Sequence, residues 1–441
     1  MNQLLKLEIT IKNLASHRFI HNVATLQVGS FLGNFIQAGI GIFLARMLQP
    51  ERFGEYALAI GMASLASIVL GSGIQDAAAN LLGSSYARKD AEETKNVLAF
   101  TIKITFFAAL LTILILPFLP FISRALYKDF WIGIYAAVIV VASIFSVSFF
   151  SLSTMALQAV GKIKGMMMLA VSDQIARYGL ALVFTAVGFG VLGAVSGHLI
   201  GAVILFFVSA AIWGWVQRKE TILPSLWTLI KHAGTVSIKK YFGFSFWVAI
   251  DRNMGNLFMA LPVVLTGIYV ANSEVTFFKL AFGFVNLALS MLGPISVLLN
   301  MEFPKMMVEG GGKLARNFIR VSLYSMGLSV LLVLGAIITA PIVFKFFYGV
   351  NFMPSVKYVS GLFVYGALFG IGVGLGPMWR AIGQVKISII INLIILGLGI
   401  PLGLWLIKSY GLWGAVIMVT LWFSVSHLVS FFYLLRKLKT T

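Results

Sequence analysis

Apolar stretches of twenty or more residues recur about twelve times along this chain. Each is long enough to cross ~30 Å of hydrocarbon as a helix. The chain is 60% hydrophobic and 11% charged over 441 residues, with mean hydropathy +0.98. No soluble core hides that much apolar surface, so the solvent must be lipid. The runs place helices at 22–47, 54–82, 97–123, 130–158, 165–186, 190–216, 241–270, 275–300, 317–347, 354–379, 385–407 and 411–435. The stretch Phe43–Gly71 shows the style of connection: an apolar run ends, Pro50 and Gly54 break it, and a second run follows at once.

The second half of the chain echoes the first. Arg380–Lys386 (RAIGQVK) matches Gln158–Lys164 (QAVGKIK) 222 residues earlier. Gly411–Val416 matches Gly190–Val195 at 221. Pro341, Lys345 and Tyr348 match Pro120, Arg124 and Tyr127, again at 221. Leu280, Ala281, Gly283, Leu287, Ala288 and Gly293 match Leu58, Ala59, Gly61, Leu65, Ala66 and Gly71 at 222. Four ordered blocks with nearly one offset mean a duplicated six-helix unit. Six is even, so both copies enter the membrane from the same side, as parallel repeats about an axis along the membrane normal. The expected fold class is therefore an all-α polytopic membrane protein. Its twelve transmembrane helices form two parallel-repeat six-helix lobes around a central cavity. The expected domains are an amphipathic interfacial helix at 1–20, an N-lobe at 21–216, a linker with an interfacial helix at 217–240, a C-lobe at 241–436 and a tail at 437–441.

The net charge of +19 reads as topology. Of 33 Lys and Arg, 22 belong to the termini and the even-numbered loops and 8 to the odd-numbered loops. This places both termini in the cytoplasm. Nucleic acid is not an expected partner. The first twenty residues lack the layout of a cleavable signal. With no cysteine, disulfides, thiolate metal sites and thiol nucleophiles are excluded. His17, His21, His198, His232 and His427 are dispersed without ligand spacing. Gly310–Lys313 superficially suggests a phosphate loop, but Met307 and Leu314 stand where that motif needs Gly and Ser or Thr, so no nucleotide is expected. No cofactor is expected beyond a proton or sodium gradient as a coupling source.

Polar groups at membrane depth are few, and each is a functional candidate. Gln27, Ser30, Asn34 and Gln37 share one face of helix one. Asp251 and Arg252 lie about eleven residues into helix seven, roughly 16 Å deep. Arg252 and Asn256 share a face there. Arg252 is either a contact for pyrophosphate or an acidic sugar, which a guanidinium grips in bidentate fashion, or a structural charge neutralised by a carboxylate. Asp173 and Arg177 have the i, i+4 spacing of an internal ion pair, and Asp173 and Asp251 are the candidate proton- or ion-coupling groups. Lys103 faces the cavity or snorkels to the cytoplasmic surface. Lys279, Gly283, Asn286 and Ser290 share a face of helix eight, with Lys279 near its outer end. Arg46 and Arg52 stand at the outer mouth as headgroup anchors or exit-side contacts. Gly193, Gly197 and Gly201 form a small-residue seam that reads as helix packing.

Several stretches, in order along the whole chain, resemble the polysaccharide-transport family of the multidrug/oligosaccharidyl-lipid/polysaccharide exporter superfamily. They are LARMLQPERFGEYAL at 44–58, QAVGKIKG at 158–165, VLGAVSG at 191–197, IYVANSEVTFFKLAF at 268–282 and PKMMVEGGGKLAR at 304–316. The resemblance implies a bacterial or archaeal inner-membrane flippase, not an enzyme. Its cargo would be undecaprenyl-pyrophosphate-linked oligosaccharide for surface polysaccharide such as O-antigen or lipopolysaccharide, handed on to polymerase machinery. It also implies that helices one, two, seven and eight flank the cavity. The Asp that the superfamily's cation-coupled drug exporters often carry on helix one is absent here. A drug or cation antiporter on the same architecture is the nearest alternative. A polytopic glycan polymerase or ligase is a more distant one, since such an enzyme would carry a large outer loop.

Overall fold

The computed structural model describes residues 18–440 apart from Gly71, Glu309 and Gly310. The interfacial helix expected at 1–20 falls almost wholly outside the described residues. Those residues hold twelve long helical segments and no strand. They are α1 (18–48), α2 (50–87), α3 (Ala91–Tyr127), α4 (Trp131–Ala159), α5 (Ile163–Phe184), α6 (Gly190–Lys219), α7 (Ile238–Thr266), α8 (272–308), α9 (Gly311–Val343), α10 (355–381), α11 (Val385–Tyr410) and α12 (Leu412–Thr440). α1 to α6 pack as one lobe and α8 to α12 as the other, and α7 packs both on α11 and α12 and, across the interface, on α2.

The backbone carries the duplication in its dihedral angles. Gly190 sits at φ +57°, ψ −136°, and Gly411, 221 residues later, at φ +55°, ψ −134°. Gly161 and Gly383 both take positive φ in equivalent turns 222 residues apart. Lys128 and Gly349 do the same at 221. The 3-10 turn Ser67–Leu70 inside α2 has its counterpart at Ser290–Leu292 inside α8. Side chains rarely tolerate positive φ, so the glycines mark where each copy must reverse direction.

Within each lobe, glycines let helix backbones touch. A Cβ on Gly197 would lie 2.2 Å from the Ala181 nitrogen, and one on Gly193 or Gly201 would strike the backbone at Phe184 or Ala176. The seam on α6 is thus a packing device against α5. Gly414 meets the Leu406 carbonyl in the other lobe. Outward faces remain apolar and exposed, as lipid requires, with Leu398 on α11 and Ile338 on α9 among the most exposed.

A short helix, Leu226–Ala233, lies in the connection between lobes. Ser225 caps it by accepting the Thr228 N–H at 3.1 Å. Its Leu229 is fully buried in a second core with Leu98, Phe100 and Trp213, while Trp227 and Ile230 stay exposed. Lys103 donates to the carbonyls of Gly234 and Val236 at 3.1 and 3.0 Å. Lys240 pairs with Glu93 at 2.5 Å. Tyr86 donates to Glu220 at 2.7 Å, and burial together with that bond pushes its hydroxyl up to about 12. These contacts fasten the connection to the N-lobe on the side where the described chain ends lie.

Candidate functional site

The two lobes meet at the face opposite the chain ends, called here the far face. Gln49, at φ +59° and ψ 166°, breaks the helical run Arg18–Ala66 and turns α1 into α2. Thr276 on α8 donates its hydroxyl to the Pro50 carbonyl at 2.6 Å. Gly54 lies so close to α8 that a Cβ there would sit 1.9 Å from the Asn272 carbonyl oxygen. Asn351 donates to the Gln49 side-chain carbonyl at 2.9 Å. Tyr127 donates to the Val264 carbonyl at 3.1 Å. Nearer the chain ends α7 remains packed on 72–87 of α2 and tied to Glu93 of α3, while other helices keep to their own lobe. α1 runs along α5, with Gly29 against Met167, and Gly293–Val308 packs on Leu375–Ala381.

Between the lobes lie two neighbouring cavities. The far cavity, about 410 Å³, has Asn34, Gln37, Tyr56 and Tyr178 on its N-lobe wall and Lys279, Asn286 and Ser290 on its C-lobe wall. The middle cavity, about 420 Å³, is walled by Ser64, Gln75, Ser143, Asn253, Asn256 and again Lys279. Both volumes fall in the range of roughly 300–1,000 Å³ typical of small-molecule sites. Lys279 sits about 10 Å into α8, between the buried Phe278 and Leu280. Among the described residues it has no ion-pair or hydrogen-bond partner. It is a cation lining both chambers of the interlobe space.

The family whose description is "Polysaccharide biosynthesis protein" matches residues 43–357. The chain belongs to that family. No curated protein matches the sequence. Among solved structures, an inward-facing multidrug resistance MATE family transporter of the MOP superfamily aligns with TM-score 0.74 at 17% identity, over 92% of this chain and 96% of its own. An outward-facing MATE family transporter gives TM-score 0.68 at 18% identity, over 95% and 96%. The lipid II flippase MurJ, in an inward closed conformation, gives 0.69 at 17% identity, over 93% and 87%. This polysaccharide biosynthesis family member therefore has the two-lobe fold of MOP-superfamily transporters.

Behind the far cavity, the N-lobe of the family member holds a polar network. Arg177 and Asp173 form the expected ion pair on α5. Among the described residues, the buried Asp173 Oδ1 and Arg177 Nε have no hydrogen-bond partner. Gln37 donates to the Tyr178 hydroxyl at 2.6 Å. The Tyr56 hydroxyl and His198 Nε2 are 2.5 Å apart, and Tyr178 meets the same imidazole edge to face at 4.8 Å. His198 is thus a packed, hydrogen-bonded ring between two tyrosines.

The sequence stripes on helices one and eight face each other, since Asn34 and Gln37 lie across the far cavity from Lys279, Asn286 and Ser290. The side chains of Gln27 and Ser30 fall outside the described residues. Asn286 also serves its own lobe, taking a bond from Tyr365 at 2.6 Å and giving one to the Phe282 carbonyl at 2.8 Å. Asn256 lines the middle cavity. Arg252, one turn away, is exposed and is not part of either lining. Asp251 is half-buried, under the charges of Arg380 and Arg252. Lys103 serves the connection, and Arg177 serves Asp173. Arg46 and Arg52 are exposed at the far face, where Arg52 lies beside the Gly190 turn. Sequence reasoning missed Gln75, Ser64, Ser143 and Asn253. Asn253 had a signal, because it precedes Asn256 by three residues on one helix face.

Proposed function

We propose that this protein is a flippase that moves undecaprenyl-pyrophosphate-linked oligosaccharide from the inner to the outer leaflet by alternating access, for surface polysaccharide assembly. The observation that carries the reading is Lys279, an ammonium without a partner among the described residues, between two polar chambers at the lobe interface. A diphosphate supplies the anion such a group needs, and a cation in an enclosed site acts in a low effective dielectric. The opposed amide and hydroxyl stripes suit the hydroxyl-rich part of the cargo. Membership of a polysaccharide biosynthesis family and the likeness to a lipid II flippase support the same cargo class.

In this account the lobes rock about the interface. The joined far face is the state that receives cargo from the side of the chain ends, which the charge bias assigns to the cytoplasm. Separation of α2 from the start of α8 then opens the far face for release. A proton or sodium gradient is a candidate driving force, and polymerase machinery receives the product.

The test is a deletion strain complemented with wild type or Lys279→Met. Wild type restores surface glycan. The variant inserts at the wild-type level and leaves lipid-linked sugar accumulated inside. Full export by Lys279→Met at equal protein level overturns the reading. Extraction of the accumulated lipid from the deletion strain names the cargo.

A further inference from the structure

The middle cavity differs in chemistry from the far one. Three carboxamides, Gln75, Asn253 and Asn256, and three hydroxyls, Ser64, Ser67 and Ser143, meet in it beside Lys279. Two of these groups are unsatisfied. Gln75 Nε2 and Ser67 Oγ are buried and have no hydrogen-bond partner among the described residues. An orphaned buried donor costs free energy in the empty protein, and that cost is recovered when a ligand supplies the acceptor.

The cavity is also built by a deliberate departure from helix. α2 leaves α-helical geometry at Ser67–Leu70. That turn frees a carbonyl, and Asn253 donates to it, at Ile68, with a distance of 3.2 Å. The amide of α7 thereby fixes the irregular segment that carries Ser67. Irregular backbone at membrane depth is tolerated where it lines a cavity. Met259 and Val263 add an apolar wall to the same space. Amides that both donate and accept, with hydroxyls and an apolar wall, suit the hydroxyls and C–H face of a pyranose ring.

We propose that the middle cavity is the subsite for the sugar ring attached directly to the phosphate, an uncharged ring bearing hydroxyl or acetamido groups. Lys279 holds the diphosphate at the junction of the chambers, and Gln75 with Ser67 reads the first ring. This rests on the flippase reading and deepens it, because it makes the protein sense the sugar as well as the lipid carrier.

The test uses the full-length chain in lipid nanodiscs and three probes: undecaprenol, undecaprenyl pyrophosphate, and undecaprenyl pyrophosphate bearing one N-acetylglucosamine. Wild type should bind the sugar-bearing lipid about tenfold more tightly than the bare pyrophosphate. Gln75→Leu, and independently Ser143→Leu from the facing helix, should reduce that ratio to within about twofold while affinity for bare undecaprenyl pyrophosphate stays unchanged. The bare lipid is thus the control for folding in each variant. If wild type binds both pyrophosphates equally, or if both variants keep the tenfold ratio, the sugar subsite is overturned and the flippase reading stands. If neither pyrophosphate binds better than undecaprenol, the flippase reading falls and the subsite with it.

Discussion

The hydroxyl of Thr276 donates to the carbonyl of Pro50, 226 residues earlier in the chain, across a distance of 2.6 Å. The two residues belong to equivalent hairpins of the two repeats. Their bond, with Gly54 pressed on Asn272, shuts the far face. Thr276→Val keeps the shape and removes the donor, a loss of roughly 1 kcal/mol. Because the bond exists only while the far face is closed, the open state should gain about fivefold. The chain has no cysteine, so Ser64→Cys gives a clean reporter. Its labelling by an impermeant maleimide from the far side should speed up by about that factor in the Thr276→Val background. An unchanged rate would show that the far-face contact is not a gate.

The Asp173–Arg177 pair yields a prediction about stability and transport together. Removing one partner leaves the other charge buried, which costs roughly 3–5 kcal/mol. Arg177→Met should therefore melt well below wild type in detergent. Asp173→Asn with Arg177→Met should recover most of the loss, since replacing both partners is often close to neutral. If the double variant is stable and still exports glycan, Asp173 is structural. Loss of export in a stable double variant would instead assign it to ion coupling.

Much of this architecture was legible in the sequence, for a physical reason. Helix length follows from bilayer thickness, and duplication leaves matched residues at one offset, so Gly190 and Gly411 announced the same turn before their dihedral angles were known. The facing stripes were legible too, because spacings of three and four residues fix a face. What spacing does not fix is where that face points. Arg252 and Asn253 are adjacent in sequence and about 100° apart around α7, and Asn253 alone of the two lines the middle cavity. The break in α2 at Ser67–Leu70 was equally hidden, since it depends on a bond from Asn253, a tertiary partner. Lys279 shared a face with Asn286 and Ser290 but by depth could equally have sat at the headgroups, and the packing of the lobes puts it in both cavity linings.

The glycine seam separates packing from mere small size. Gly197→Leu forces a side chain into the α5 backbone at Ala181 and should destabilise the N-lobe by about 3 kcal/mol. Gly214 lies on the same helix, and a methyl group placed there would have nothing within 4 Å. Gly214→Leu should leave the melting temperature within a degree or so of wild type, or raise it slightly through better helix propensity. Equal melting of the two variants would show that the seam does not hold α6 to α5.

Lys279 and Arg252 make competing claims on the anion, and a charge series decides between them. Lys279→Arg keeps a cation in the cavity, so it should retain export, reduced by the poorer fit of a longer, planar group. Lys279→Gln keeps polarity without charge. If the diphosphate is held there, losing a charge-assisted contact of roughly 2–3 kcal/mol should cut export at least about tenfold. Arg252→Ala removes an exposed cation outside both linings, so export should stay within about threefold of wild type. All three variants are compared at equal membrane level, with surface glycan as the readout. A large loss with Arg252→Ala and none with Lys279→Gln would move the anion site to α7, where Arg252 would have to swing towards Asn256 as the lobes rock.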